Sequence, residues 1–245
     1  MKKLSLLGVR VDDVSLEEIK SISLSLIAGQ KPSMFVSLGS LTVMQARKDQ
    51  GYKALIDEAE LVICDGSGVS SAIKYLTGEK IRRIAGVDLV PFFAELSEEK
   101  SCKLFLLGAE EDVIKKAADL LKKRFPGANI CGYLNGYFDI INSVEVISTI
   151  KKASPDILLV GLGQPLQEKW LKDNLKALSV PVTMGVGGSF DVIAGKFARA
   201  PVVFRKSGLE WLFRMIIEPC RIKRNFALIG YVFLIIKNKF RGGKE

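Results

Sequence analysis

Five short apolar runs in this 245-residue chain each lead into a glycine-bearing turn, and those turns hold most of the residues able to do chemistry. They are Ser37-Leu38-Gly39-Ser40, Asp65-Gly66-Ser67-Gly68, Gly108-Ala109, Gly161-Leu162-Gly163-Gln164 and Gly187-Gly188-Ser189. Glycine there lets backbone N–H groups approach a ligand, and a helix N-terminus behind the turn receives phosphate. Neither GxGxxG nor GxxxxGK[ST] occurs, so a dinucleotide or P-loop site has no support, whereas a sugar nucleotide or similar phosphorylated molecule stays open. Asp65 is the sharpest single residue, a carboxylate between an apolar run and a flexible turn. Two readings stand beside each other: a general base at the rim of a site, or the N-cap of a helix over 66–76.

The chain has no histidine. That removes Ser-His-Asp and Cys-His triads, HExxH zinc sites and histidine bases, and leaves acid–base work to carboxylates, lysine, tyrosine or cysteine. Gln164, Gln167 and Glu168 either hydrogen-bond a sugar or line the first turn of a helix. Arg82 and Arg83 follow a helix and read as solvated. There is no DxD sequence, and the adjacent Asp12-Asp13 make a poor divalent-ion site, so any diphosphate leaving group would need arginine to offset its charge. Cys64, Cys102, Cys131 and Cys220 are widely spaced, so no zinc site is expected, nor any cofactor. The run Leu4–Val9 is too short for a signal peptide, and the thiols are expected reduced in the cytoplasm.

These turns need elements to hold them. Apolar, β-rich runs at 34–38, 60–64, 103–107, 156–160 and 182–186 alternate with helical patterns at 40–58, 66–76, 87–98, 110–124, 143–153 and 166–178. Strands apolar throughout and separated by helices predict an α/β fold, its mainly parallel sheet covered by helices on both faces. Residues 4–9 and 11–14 suit a small N-terminal β-hairpin. Ligands of such sheets bind beyond the carboxyl ends of the strands, where the five turns lie.

Charge divides the chain. Residues 196–245 hold twelve of the 36 Lys/Arg and three of the 27 Asp/Glu, leaving 24 of each in residues 1–195. The whole net charge of +9 therefore sits in the last fifth, which points to an anionic partner. The division expected is an α/β core over 1–195 and a basic helical appendage over 196–245. Within the appendage, 205–218 suits an amphipathic helix ending near Pro219. An eleven-residue apolar run, Phe226–Ile236, follows between basic flanks. A transmembrane helix needs about 20 apolar residues, so this run suits an interfacial helix, with a core or dimer seam as the other reading. Such a tail invites homo-oligomers off the membrane. Its aromatics stand among aliphatics rather than alternating with bases, so no nucleic acid is expected.

Taken together, these stretches resemble the WecG/TagA/CpsF glycosyltransferase family. The resemblance is carried by Asp65-Gly66-Ser67-Gly68-Val69, Arg83-Ile84-Ala85-Gly86-Val87-Asp88-Leu89 and Phe105-Leu106-Leu107-Gly108. It continues through Gly136-Tyr137-Phe138, Gly161 to Trp170, Gly185 to Asp191 and Arg199-Ala200-Pro201, then Gly208 to Arg214, Glu218-Pro219, Arg221 and Arg224. It implies an inverting, metal-independent transferase. The sugar, N-acetylmannosamine or a related hexose derivative, would pass from a UDP donor to undecaprenyl-diphosphate-linked N-acetylglucosamine in cell-surface polysaccharide synthesis. The enzyme would be peripheral on the inner face of the plasma membrane, with the appendage docking on the anionic surface and completing the site.

By the same resemblance Asp65 is the base, Arg214, Arg221 and Arg224 close over the diphosphate, and Ser37 stands near the donor sugar in place of threonine. Arg83 and Gln167 contact substrate by that resemblance, and the strand-end glycines Gly39, Gly108, Gly163 and Gly187 are the backbone candidates for binding it, from their positions alone. The sequence departs from the family at Ser37-Leu38-Gly39-Ser40-Leu41, where Thr-Pro-Asn-Ala-Glu is usual. Gly39 lacks the asparagine amide and with it one donor-sugar contact. That departure sustains a second reading, a non-catalytic nucleotide- or lipid-binding peripheral membrane protein.

Overall fold

The computed structural model describes residues 1–198, Pro201, Phe204 and 222–240, the side chains of 222–226 excepted. The expected sheet forms. The hairpin is β1 (Lys2–Leu6) and β2 (Val9–Asp13), and the apolar runs become β3 (Ser33–Leu38), β4 (Leu61–Cys64), β5 (Leu104–Gly108), β7 (Ile157–Gly161) and β8 (Val182–Gly185). One strand, β6 (Ile130–Leu134), adds to them at the edge. The order across the sheet is β1-β2-β4-β3-β8-β7-β5-β6, with only the β1–β2 pair antiparallel.

Strand alternation divides the interior into two cores. Met34, Val36, Leu38, Val62, Cys64, Leu158 and Val160 face one side. Phe35, Leu61, Ile63, Leu104, Leu106, Ile157, Leu159 and Met184 face the other. The first core is covered by α2 (Ser40–Lys48), α3 (Gln50–Glu58), α4 (Ser67–Thr77), α7 (Val144–Ala153) and α8 (Leu166–Leu178). Helices α1 (Leu16–Gly29), α5 (Gly86–Lys100), α6 (Glu111–Arg124) and α9 (Ser189–Ile193) cover the second. Full burial of each Leu, Ile or Phe stabilises by about 1.5–3 kcal/mol, so the all-apolar strands drive the sheet between its two layers.

Local chemistry explains where this differs from the expectation. The single helix over 40–58 is two helices, broken at Asp49, whose backbone is extended (φ −121°, ψ 101°) and whose carboxylate caps α3 by accepting from Tyr52 N at 2.9 Å. Helix α1 was not expected, although Ser15 and Glu18 form a reciprocal capping box at its start. Strand β6 carries a glycine at its centre because a Cβ at Gly132 would lie 2.5 Å from the Phe105 ring. Asp12 is consumed structurally: it is fully buried and accepts from Arg10 Nη2 at 2.7 Å and Val62 N at 2.9 Å, tying β2 to β4.

The expected amphipathic helix over 205–218 lies outside the described residues. Helix α10 (Ile222–Phe240) is formed and packs on α2 and α4. Tyr231 and Ile235 are buried there, while Ile229, Val232, Phe233, Ile236 and Phe240 are exposed. Among the described residues no helix is long and apolar enough to cross a membrane.

Candidate active site

Strands β3 and β8 are parallel neighbours, yet β3 leads into α2 over one core and β8 into α9 over the other. Where adjacent strands send their chains to opposite faces, a crevice opens beyond their carboxyl ends. Ser37, Asp65 and Ser189 meet there. The Ser37 hydroxyl donates to Asp65 Oδ2 at 2.8 Å, and the Gly86 N–H donates to Asp65 Oδ1 at 3.0 Å. A Cβ on Gly86 would stand 3.5 Å from Ser37 Oγ, 3.7 Å from Asp65 Oδ2 and 3.9 Å from Ser189 Oγ, so this glycine lets the start of α5 approach all three.

Asp65 is half-buried, and its carboxylate is held across β3, β4 and α5 rather than turned back onto its own helix. The N-cap of α4 is Gly66, not Asp65. A carboxylate fixed by two donors, with one face left to the crevice, is placed to take a proton from a hydroxyl. Arg83 supports the same turn, its Nε donating to Asp65 O at 2.9 Å. Burial pushes the neighbouring Cys64 thiol up to about 12, so it keeps its proton and is not a nucleophile.

The turn after β7 fastens three strand ends. Gln164 Nε2 donates to Ser37 O at 2.8 Å, while its Oε1 accepts from Thr42 Oγ1 at 2.8 Å. Gln167 Oε1 accepts from Gly163 N at 3.2 Å and Gly187 N at 2.9 Å. Gln167 is 1% exposed and its Nε2 donates to Glu168 Oε1 at 2.7 Å, so the amide expected to meet substrate is turned into the protein. The N–H groups of Gly163 and Gly187 are likewise engaged with Gln167. Gly108 serves close packing: its φ is +138°, and a Cβ would lie 2.6 Å from Gly161 O.

Two helix N-termini converge on the other side of Asp65. The N-caps of α2 and α4 are Gly39 and Gly66, residues without a side chain to cap the first turn. A Cβ on Gly66 would be 3.5 Å from Gly39 Cα, so the two starts nearly touch. The dipoles of two converging helix starts make such a junction favourable for phosphate. Among the described residues a Cβ on Gly39 would meet only Thr42 Oγ1, at 3.8 Å, so their packing does not require glycine there.

Helix α10 reaches this junction. The Tyr231 hydroxyl donates to Gly68 O at 2.9 Å, and burial raises that phenol's pKa, keeping it protonated. Of the expected site residues, the structure thus gathers Ser37, Gly39, Asp65 and Arg83 around one crevice, with Gly163, Gln167 and Gly187 bracing its far wall. Arg214 and Arg221 lie outside the described residues, as does the Arg224 side chain. Ser189 stands at a strand-end turn as expected, whereas sequence reasoning missed the parts played by Gly86, Thr42 and Tyr231, which depend on tertiary approach.

A sequence profile described as the Glycosyl transferase WecG/TagA/CpsF family matches residues 4–245. Among curated proteins, the N-acetylglucosaminyldiphosphoundecaprenol N-acetyl-beta-D-mannosaminyltransferase of Staphylococcus aureus strain NCTC 8325 / PS 47 is 32% identical over 239 residues, covering 97% of this chain and 93% of the relative. The protein of the same name from strain MRSA252 matches at the same identity and coverage.

Proposed function

The chain belongs to the WecG/TagA/CpsF glycosyltransferase family, and on that premise we propose that it is an inverting, metal-independent transferase with Asp65 as its base. The observation that carries the mechanism is the double hold on Asp65, by the Ser37 hydroxyl and the Gly86 N–H, beside the Gly39–Gly66 junction. The donor is a UDP-sugar, its diphosphate at that junction and its sugar toward Ser37 and Gly39. The acceptor is undecaprenyl-diphosphate-linked N-acetylglucosamine, as the names of the relatives indicate for them. Asp65 removes the proton of the acceptor hydroxyl as that oxygen attacks the anomeric carbon. The bond to the UDP oxygen breaks on the opposite face, which inverts the configuration.

The departing diphosphate gains charge as that bond breaks. Helix N-termini offset part of it, and Arg214, Arg221 and Arg224 supply charge-assisted bonds for the rest. Residues 196–245 form a membrane-docking appendage that brings those arginines to the site, at the cytoplasmic face of the plasma membrane. The exposed apolar stripe of α10 and the basic tail composition support this placement.

The test is release of UDP from a panel of UDP-sugars, with a short-chain lipid-diphosphate-N-acetylglucosamine acceptor and a chelator present. Acceptor-dependent release from one donor, N-acetylmannosamine first among them, is expected. No release from any donor by folded, vesicle-bound protein would overturn the assignment in favour of a binding protein.

A further inference from the structure

Glu168 lies in the first turn of α8 with 0% exposure, beneath the crevice and out of reach of any ligand in it. Its Oε1 accepts from Gln167 Nε2 at 2.7 Å and its Oε2 from the Tyr52 hydroxyl at 3.2 Å. Burial pushes this carboxyl above the ordinary glutamate range, and a phenol equally buried keeps its proton beside it. Such a costly group needs a reason to be there.

The reason lies in the ambiguity of a primary amide. Its two ends exchange by a half-turn of the side chain. The N–H groups of Gly163 and Gly187 call for the carbonyl and the acceptor at Glu168 Oε1 calls for the NH2, so Glu168 holds from behind the direction that the two turns use. With a proton carried on Oε2, Oε1 remains an acceptor, so the direction does not depend on the charge. Gly185 makes room for the arrangement, since a Cβ there would lie 2.4 Å from Gln167 Nε2. The turns so pinned hold left-handed glycines, Gly163 at φ +81° and Gly187 at φ +54°. The second runs directly into Ser189, which borders the Asp65 pocket.

We infer that Glu168 is a positioning residue for this site, orienting the Gln167 amide so that it pins the turns after β7 and β8. Its kinetic consequence rests on the transferase reading, and its structural consequence does not. Amide hydrogen exchange at Gly163 and Gly187, read by NMR on the full chain, is therefore measured beside turnover, for wild type, Glu168→Met and Glu168→Gln. Methionine conserves volume and removes the acceptor, whereas glutamine can return a carbonyl to the same place.

In wild type both amides are expected to exchange slowly, although both glycines are only half-buried. In Glu168→Met both exchange about tenfold faster or more, and in Glu168→Gln they stay within about threefold of wild type. Turnover follows the same order, with kcat at least about tenfold lower in Glu168→Met, donor KM changed by less than about threefold, and kcat recovered in Glu168→Gln. Unprotected exchange at both glycines in wild type would overturn the inference without any variant, which also covers the case in which Glu168→Met does not fold. Exchange in a folded Glu168→Met equal to wild type, or Glu168→Gln as fast as Glu168→Met, would overturn it too. Absent turnover with the expected exchange pattern would leave Glu168 as assigned and count against the transferase reading alone.

Discussion

Ser37 and Asp65 leave the sheet side by side, on neighbouring parallel strands whose last registered pair is Leu38–Cys64, and the Ser37 hydroxyl donates to Asp65 Oδ2 at 2.8 Å. The bond joins the ends of β3 and β4, so the carboxylate inherits the rigidity of the sheet rather than the freedom of the Gly-Ser-Gly turn after it. The Gly86 N–H holds the other oxygen from α5. Three elements thus fix one carboxylate, a usual condition for a base that must meet a hydroxyl at hydrogen-bond distance.

Asp65→Asn keeps the shape and removes the proton acceptor. Turnover is expected to fall by about two to four orders of magnitude, with UDP-sugar binding by calorimetry within about threefold of wild type. Ser37→Ala is expected to fall between the two, by roughly ten- to a hundredfold, for loss of one bond to a charged group. Full activity in Asp65→Asn would remove it as the base.

Gly108 and Gly39 make a matched pair for stability. At Gly108 alanine meets both a left-handed φ of +138° and the Gly161 carbonyl at 2.6 Å. Strain and overpacking each cost about 1–3 kcal/mol, so Gly108→Ala should lose about 3 kcal/mol in urea unfolding. At Gly39 the backbone is ordinary (φ −100°) and a Cβ would make only an ordinary contact among the described residues, so Gly39→Ala should stay within about 1 kcal/mol of wild type. Equal losses at the two positions would contradict the close approach of β5 to β7.

The sheet was legible because β3, β4, β5, β7 and β8 are apolar on both faces and end next to glycine. Strand β6 was not, because Gly132 interrupts it to admit the Phe105 ring. Ser37 and Asp65 could be found by counting to strand ends, since topology alone puts such residues at the crevice. Gly86 contributes a backbone N–H from a distant helix start, and no side-chain pattern announces that. Gln167 and Glu168 were misleading in the opposite sense. They are polar at the start of a helix, which reads as ligand contact or exposed first turn, yet both point into the protein.

That buried carboxyl gives a signed pH dependence. The folded state raises Glu168 above its unfolded value, so folded protein holds more protons there than unfolded protein. Its contribution to stability is complete below about pH 4.5, the unfolded value, and is lost as pH rises through the raised folded value. Glu168→Gln has no such loss. The difference in Tm between Glu168→Gln and wild type should therefore grow in favour of the variant as pH rises from about 4.5. A difference that stays flat over that range would show that burial does not penalise the ionised form.

Helix α10 offers a test of docking that leaves the fold alone. Tyr231 and Ile235 face α2 and α4, while Ile229, Val232, Phe233, Ile236 and Phe240 form a stripe at helical spacing that is exposed to solvent. Exposed apolar groups on a helix whose last turn carries Lys237 and Lys239 suit burial at a lipid headgroup boundary, each large side chain contributing up to about 1.5–3 kcal/mol. Ile229→Asp with Phe233→Asp should lower partition onto mixed anionic and zwitterionic phospholipid vesicles by about tenfold or more. Both positions are exposed, so Tm should change little. Added salt should weaken binding of the wild type, since part of the attraction is between basic residues and anionic headgroups. Vesicle binding unaltered by the double substitution would exclude this stripe as the membrane face and leave the basic residues outside α10 to carry the contact.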